Sequence, residues 1–384
     1  MTTPTILLTP GPLTTTPETR RAMLDDWGSW DSDFRALNKR VCDRLTAIAG
    51  GGAGAVCIPV QGSGTYAVEA AIGTLVPRDG KLLVLVNGAY GHRMVKLTQV
   101  MGRAVTSYET DEARCHQPGV LAEILGRDPA ITHVGVIHCE TSTGIQAPLA
   151  GLAAVTAEAG RKLIIDAMST FGALPIDMPA LKATAVVASA NKCLEGVPGL
   201  GFVICAHQDL AAAEGRAHSL SLDLYDQWIY MRRSGQYRYT PPTHVVAALD
   251  AAITQFEAEG GQPARLARYQ ANSQRLIDGM TERGFAPLLD PSVQAPIIVT
   301  FRTPRDPQFH FDDFYAALKD RGFIIYPGKT TRVDSFRIGC IGAIGPGDMD
   351  RLMTAIDAAL HDLGVTDTAP SDVDTADHTA MVMP

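Results

Sequence analysis

Between residues 55 and 205 the chain repeats one pattern, a short apolar run followed by a longer stretch in which apolar positions recur every three or four residues. The runs are VCIPV (56–60), KLLVLVN (81–87), THVGVIH (132–138), KLIIDA (162–167), AVVAS (185–189) and GFVIC (201–205). Between several of them lie helix-period segments such as YAVEAAIGTL (66–75) and LAGLAAVTAEAG (149–160). Strands that are apolar on both faces, alternating with helices, predict an α/β fold whose mostly parallel sheet is sandwiched by helices.

Past residue 205 the pattern changes. HVVAALDAAITQFEAEGG (244–261) and ARLARYQANSQRLIDGMTERG (264–284) predict two helices. PIIVTF (296–301), FDDFYAALKDRG (311–322), FIIYPG (323–328), SFRIGCIG (335–342) and PGDMDRLMTAIDAALHDLG (346–364) then read as strand, helix, strand, strand and helix, a smaller α+β domain. The predicted division is an N-terminal arm (1–20), a large domain (21–255), a small C-terminal domain (256–364) and a tail (365–384). The tail has no aromatic residue and is rich in Thr, Asp and Ala, so it is expected to be disordered.

The composition, 46% hydrophobic and 19% charged, is that of an ordinary globular chain. A net charge of −8 argues against general affinity for nucleic acid or anionic membranes, so an anionic small substrate would need locally concentrated cations. No window approaches ~20 uncharged apolar residues, and the first twenty residues lack the basic-then-apolar pattern of a secretory signal. The seven cysteines form no C-x-x-C pair and the ten histidines no H-E-x-x-H. A reducing, cytoplasmic location and no metal are therefore expected.

Ligands of such sheets bind beyond the carboxyl ends of the strands. After VCIPV comes QGSGTYAVEA, where Gly62 and Gly64 flank Ser63, Thr65 follows and a helix begins. Backbone N–H groups and hydroxyls at a helix N-terminus suit a phosphate, although such a turn can also do no more than turn. No Lys-Ser/Thr follows as in a P-loop, and the third glycine of G-x-G-x-x-G is missing. NGAYGHRM places Tyr90 after the next run, either to stack on a flat ligand or to pack. CETSTG follows with Glu140, Thr141, Ser142 and Thr143, a polar strand end open to several uses. Asp166 ends KLIID and Lys192 follows AVVAS in SANKCLEGVPG. The acid can be a cap or a structural salt bridge, and the lysine an exposed turn.

Taken together, a phosphate cradle, a flat aromatic, an acid and an amine match one cofactor. Pyridoxal phosphate has a phosphate, a planar ring, a ring nitrogen that favours a carboxylate and an aldehyde that condenses with lysine. Arg337 in SFRIGCIG has the planar fork for an anionic amino substrate, or is an ordinary surface arginine. Two short patterns are coincidences. Ser189-x-x-Lys192 lacks the S-D-N and K-T-G partners of penicillin-binding enzymes. Pro327-Gly328-Lys329-Thr330 has Phe323 where a Walker A requires glycine.

The segments LLTPGPLTTTPE, QGSGTYAVEA, NGAYGHRM, HCETSTG, IDAMSTFG, SANKCLEGVPG, PPTH, IYPGK and FRIGCIG resemble the class V aminotransferases, fold type I pyridoxal-phosphate enzymes, across nearly all of the chain except the tail. SLSLDLYDQW and SANKC are similar, more narrowly, to members that transaminate 2-aminoethylphosphonate with pyruvate in phosphonate catabolism. The resemblance implies that Lys192 binds the cofactor aldehyde and carries the proton, while Asp166 holds the pyridine nitrogen and Tyr90 stacks on the ring. It implies phosphate contacts from Ser63, Gly64, Thr65 and Ser189, joined by Thr243 from the other subunit of a homodimer. Thr141 or Ser142 would approach the ring oxygen, Arg337 would grip the substrate anion, and Thr14, Thr15 and Trp30 would shape the substrate end. The products would be phosphonoacetaldehyde and L-alanine.

Alternatives within the family are aminotransferases of the alanine–glyoxylate or serine–pyruvate type. A lyase of the cysteine desulfurase kind needs a mobile nucleophilic cysteine, for which Cys193 and Cys340 are poorly placed, and usually has histidine where Tyr90 stands. A non-enzymatic binder on this fold would be expected to lack Lys192 or Asp166.

Overall fold

The computed structural model describes residues 5–330 and 332–370. After a short N-terminal strand, β1 (Ile6–Leu7), come β2 (Ala55–Gln61), β3 (Lys81–Val86), β4 (Ala104–Glu109) and β5 (Ile131–Ile137). A two-residue hairpin, β6 (Cys139–Glu140) and β7 (Ile145–Gln146), precedes β8 (Lys162–Asp166), β9 (Ala183–Ser189) and β10 (Leu200–Ala206). Seven of these strands form one sheet in the order β2-β10-β9-β8-β5-β3-β4. β10 runs antiparallel to both of its neighbours and every other pairing is parallel.

Side chains alternate between two buried faces, as the period of a strand requires. Leu83, Leu85, Val134, Val136, Ile165, Val186, Phe202 and Ile204 point to one core. Helices Ser32–Ile48 and Thr243–Glu259 cover it with Phe34, Leu37, Val41, Leu45, Val246, Leu249 and Ile253. Leu82, Val84, Ile164, Val187, Val203 and Cys205 point the other way, against Ala67, Ala71, Ile72 and Leu75 of helix Gly64–Leu75. The predicted α/β sandwich is present, together with elements that the apolar runs did not mark. In β4 (AVTSYE) no residue is fully buried, so this edge strand has no apolar run to betray it. Helix Ser32–Ile48 buries a stripe of Phe34, Leu37, Val41, Cys42 and Leu45 spaced three and four apart, with its charged residues on the other face.

The second unit contains β11 (Ile298–Arg302), β12 (Phe323–Ile324), β13 (Tyr326–Pro327) and β14 (Ser335–Gly339). β11, β14 and β13 form an antiparallel sheet in that order. Its core is a cluster of phenylalanines, Phe285, Phe301, Phe309, Phe314 and Phe336, roofed by helices Gly261–Glu282, Phe311–Asp320 and Pro346–Leu363. The predicted strand FIIYPG divides at Ile325. β12 pairs in parallel with β1, while β13 pairs with β14. The N-terminal segment is therefore anchored in this unit before it crosses towards the main sheet.

Val365 joins the same core, Thr368 is buried, and the Arg305 N–H donates to the carbonyl of Ala369. Residues 365–370, which the tail prediction included, are thus packed. The remainder of that predicted tail, 371–384, lies outside the described residues. Among the described residues, no helix is long and apolar enough to cross a membrane.

Candidate active site

β9 ends at Ser189, and the chain must reverse at once into antiparallel β10. The Ala190 N–H donates to the carbonyl of Leu200, and the Gly196 N–H to that of Ala190. Inside this loop the Glu195 N–H donates 2.7 Å to the carbonyl of Lys192, and Glu195 itself adopts a left-handed conformation with φ 60°. A cavity of about 230 Å³ lies beside the loop, lined by Lys192 together with residues from the ends of β2, β5, β8 and β9.

The Lys192 Nζ donates 2.5 Å to the carbonyl of Pro10. A Cβ at Gly11, whose φ is +119°, would lie 2.4 Å from that nitrogen. Only glycine lets the backbone pass so close to the amine. Burial holds the lysine's pKa below its ordinary value; the negative partners Tyr90, Cys193 and Asp166 offset this in part, and Arg337 adds to it.

Asp166, the last residue of β8, lines the same cavity and accepts the Met168 N–H at 2.9 Å. Burial pushes its pKa up to about 6 against the pull of that N–H. Ser63, Gly64 and Thr65 form the first turn of helix Gly64–Leu75 and line the cavity as well. Ser63 is the N-cap but its side chain does not cap, which leaves the hydroxyl uncommitted. The Ser189 Oγ, also in the lining, is buried without a hydrogen-bond partner. A buried orphan hydroxyl facing a helix N-terminus fits a phosphate, and the residues present therefore suit the cofactor predicted from sequence.

Tyr90 is the second residue of helix Ala89–Val100. Its N–H and that of Gly91 donate to Glu140 Oε2 at 3.0 and 3.3 Å, while Ser142 donates to Oε1 through both N–H and hydroxyl. Glu140 and Ser142 thereby fix the helix that carries Tyr90, a role the polar run did not specify. The Tyr90 ring lies 4.8 Å from the Arg93 guanidinium and 4.8 Å from the Lys329 ammonium. Burial raises its phenol pKa, but the charges of Lys329 and Lys192 and a hydrogen bond with Thr141 outweigh this, and the net shift is downward. Arg337 on β14 is buried, with Nε donating to the Pro327 carbonyl at 2.9 Å and Nη1 to the Thr141 carbonyl at 2.8 Å.

The other predicted residues stand apart. Thr243 opens helix Thr243–Glu259, with its hydroxyl 3.5 Å from His244 Nδ1. Trp30 is 76% exposed. The Thr14 hydroxyl accepts the Leu7 N–H and its carbonyl the Ala343 N–H, so it ties the arm together. Thr15 is bonded to Arg20. Ser142 is used by Glu140. None of these five lines the cavity, and neither does Arg337, whereas Gly11, Arg93, Met168, Ser169 and Asn191 do. Arg93 could have been found one helical turn beyond Tyr90, on the same face.

A buried ionic cluster braces the lysine loop. Glu195 Oε1 accepts the Tyr269 hydroxyl at 2.6 Å and Arg268 at 2.8 Å, with Arg265 3.4 Å away. Glu259 pairs with both arginines. Arg265 also donates to the Cys193 carbonyl, and Arg268 to those of Gly342 and Ile344. The loop after Lys192 is thus tied to the segment that follows β14. Glu195→Gln is expected to destabilise the protein by about 3 kcal/mol, the low end for breaking a buried pair because Glu259 remains. Urea unfolding measures this, and a loss below about 1 kcal/mol would mean that the cluster is well solvated.

This fold, with an amine, an acid and a phosphate cradle at its strand ends, defines a known class: the family Aminotransferase class-V matches residues 57–337, and the chain belongs to it. The solved pyridoxamine-pyruvate aminotransferase from Mesorhizobium loti superposes with a TM-score of 0.86 at 25% identity, covering 95% of this chain and 94% of that one. The alanine--glyoxylate aminotransferase from Nostoc sp. also gives 0.86, at 22% identity over 94% of this chain and 96% of its own, a likeness of fold. Among curated proteins, the 2-aminoethylphosphonate--pyruvate transaminase of Pseudomonas entomophila (strain L48) is 56% identical over 362 residues, or 94% of this chain and 98% of that protein. The transaminase of the same name from Pseudomonas aeruginosa (strain UCBPP-PA14) is 54% identical over 360 residues, with 94% and 97% covered.

Proposed function

We propose that the protein transfers the amino group of 2-aminoethylphosphonate to pyruvate, giving phosphonoacetaldehyde and L-alanine, with pyridoxal phosphate as cofactor. The observation that carries the cofactor reading is the meeting of Lys192, Asp166 and the orphan Ser189 hydroxyl at one cavity. The substrates are those in the names of relatives more than half identical to this chain.

When bound, the cofactor supplies an aldehyde to receive the amino group and an electron-withdrawing ring. Ser63, Gly64, Thr65 and Ser189 would hold its phosphate, Thr141 and Tyr90 would flank the ring, and Asp166 would meet the ring nitrogen. A depressed pKa leaves more of the Lys192 Nζ unprotonated at neutral pH, so the nitrogen can bind the cofactor aldehyde and later accept a proton. Nζ would take that proton from the substrate carbon bearing the amine, become the ammonium, and later give the same proton back. Arg337 holds the phosphonate in one half of the reaction and the carboxylate in the other. Thr243, away from the cavity of its own chain, is assigned to the site of a second copy in a cytoplasmic homodimer.

The visible spectrum of the loaded protein tests this. Adding 2-aminoethylphosphonate without pyruvate should bleach the lysine-linked band, and pyruvate should restore it. Bleaching by alanine or serine but not by the phosphonate would retain an aminotransferase and remove this substrate. A protein that stays colourless with pyridoxal phosphate would overturn the cofactor assignment.

A further inference from the structure

We propose that Lys329 is a second cation of the substrate-anion subsite and that, with Arg337, it selects a phosphonate over a carboxylate amino donor. This deepens the function proposed above and rests on it.

A phosphonate differs from a carboxylate in charge and shape. It carries between one and two negative charges near neutral pH and presents three acceptor oxygens, whereas a carboxylate has one charge and two oxygens. Arg337 has five N–H donors in a planar fork, but Nε is committed to the Pro327 carbonyl and Nη1 to the Thr141 carbonyl. The remaining donors suit one carboxylate. They leave a dianion short of both charge and hydrogen bonds.

Lys329 is the cation placed to supply the rest. It follows Pro327 by two residues, so the carbonyl that orients Arg337 and the lysine belong to the same short stretch of chain. Its ammonium sits 4.8 Å from the centroid of Tyr90, a ring that lines the cavity. Lys329 and Arg337 both lie within electrostatic range of the Tyr90 phenol, as Lys192 does. Among the described residues Lys329 forms no ion pair, so its charge is uncommitted.

The other nearby charges are accounted for. Arg93, on the same ring, reaches towards the Thr65 hydroxyl at 3.4 Å and so belongs to the cradle of helix Gly64–Leu75. Arg332 is paired with Asp111. Glu140, the acid nearest to Tyr90, is engaged by two helix N–H groups and by Ser142. A lysine ammonium on a flexible four-carbon stem can leave an aromatic face for a doubly charged oxyanion and return afterwards. A singly charged carboxylate offers it less reason to move.

The test compares wild-type holoenzyme with Lys329→Gln and Lys329→Arg. Amino donation is followed with 2-aminoethylphosphonate and with L-alanine, and binding of ethylphosphonate and of propionate by calorimetry. In Lys329→Gln the ratio of kcat/KM for the phosphonate to that for alanine should fall about tenfold, the scale of one charge-assisted contact, and the Kd of ethylphosphonate should rise by a similar factor relative to propionate. Lys329→Arg should recover most of both. An unchanged ratio, or equal losses for both donors, would make Lys329 a brace for Tyr90 and overturn the proposal. If the wild type accepts alanine but never the phosphonate, the substrate proposed above fails. The ethylphosphonate comparison still decides Lys329, and an equal Kd in wild type and Lys329→Gln would overturn it.

Discussion

Lys192→Ala should lower amino transfer by about 10⁴-fold, the upper end of what one positioned proton-transferring side chain contributes. The loss should fall on kcat rather than KM, because Arg337 and the cradle of Ser63, Gly64 and Thr65 are untouched. A second readout does not depend on turnover. Borohydride treatment of the loaded wild type should fix the cofactor covalently on the peptide containing Lys192, and the variant should show no such mass at any lysine. A rate loss below tenfold, or fixation on another lysine, would remove Lys192 from its assigned role. Pro10, whose carbonyl accepts from Nζ, makes no other side-chain demand on this position, so the variant should still fold.

Asp166→Asn should impair activity and stabilise the cofactor-free protein. In the unfolded chain this carboxyl ionises near 3.8, whereas burial raises it to about 6 in the fold. Between those values the unfolded chain has released a proton that the folded one retains. The folded state therefore loses stability as pH rises from about 4 to about 6, by roughly 3 kcal/mol in all. Asparagine keeps an acceptor for the Met168 N–H without the charge, so above pH 6 the variant should be more stable than the wild type by up to that amount, while at pH 4 the two should coincide. Activity should fall at least about 100-fold, because an amide cannot balance a protonated ring nitrogen. Denaturation of both proteins across pH 4–8 checks the first claim. Parallel curves would show that Asp166 is hydrated and titrates normally. Destabilised charge held in readiness for a ligand is a recurring cost of active sites.

The frame of the fold was legible because the strands carrying the site are buried on both faces and read as plain apolar runs. β4 was not, since an edge strand is spared that requirement. The reversed direction of β10 is encoded more subtly. Ten residues (190–199) separate β9 from β10, too few for the crossover that a parallel pair needs, so the glycine-rich loop holding Lys192 dictates the antiparallel turn. At the site, Ser63, Gly64, Thr65, Tyr90, Asp166, Ser189 and Lys192 stand at or shortly after strand ends and could be read one by one. Gly11 could not: its importance is a close approach between segments about 180 residues apart, which no local pattern records. The ties of Glu195 to Arg265 and Arg268 are hidden for the same reason, as arginines on a helix read as solvent-facing until their partners are known. Thr14 shows the opposite error, a polar residue in a suggestive motif whose groups are spent on holding the arm.

The parallel pairing of β1 with β12 bears on how the protein can be handled. Between Ile6, the start of that pairing, and Pro10 the chain spans at most about 14 Å fully extended. A purification handle fused at Met1 would begin nine residues from Pro10, whose carbonyl accepts from the Lys192 amine. It could distort kinetics without unfolding anything, so preparations meant for rate measurements should have any such handle cleaved or moved elsewhere.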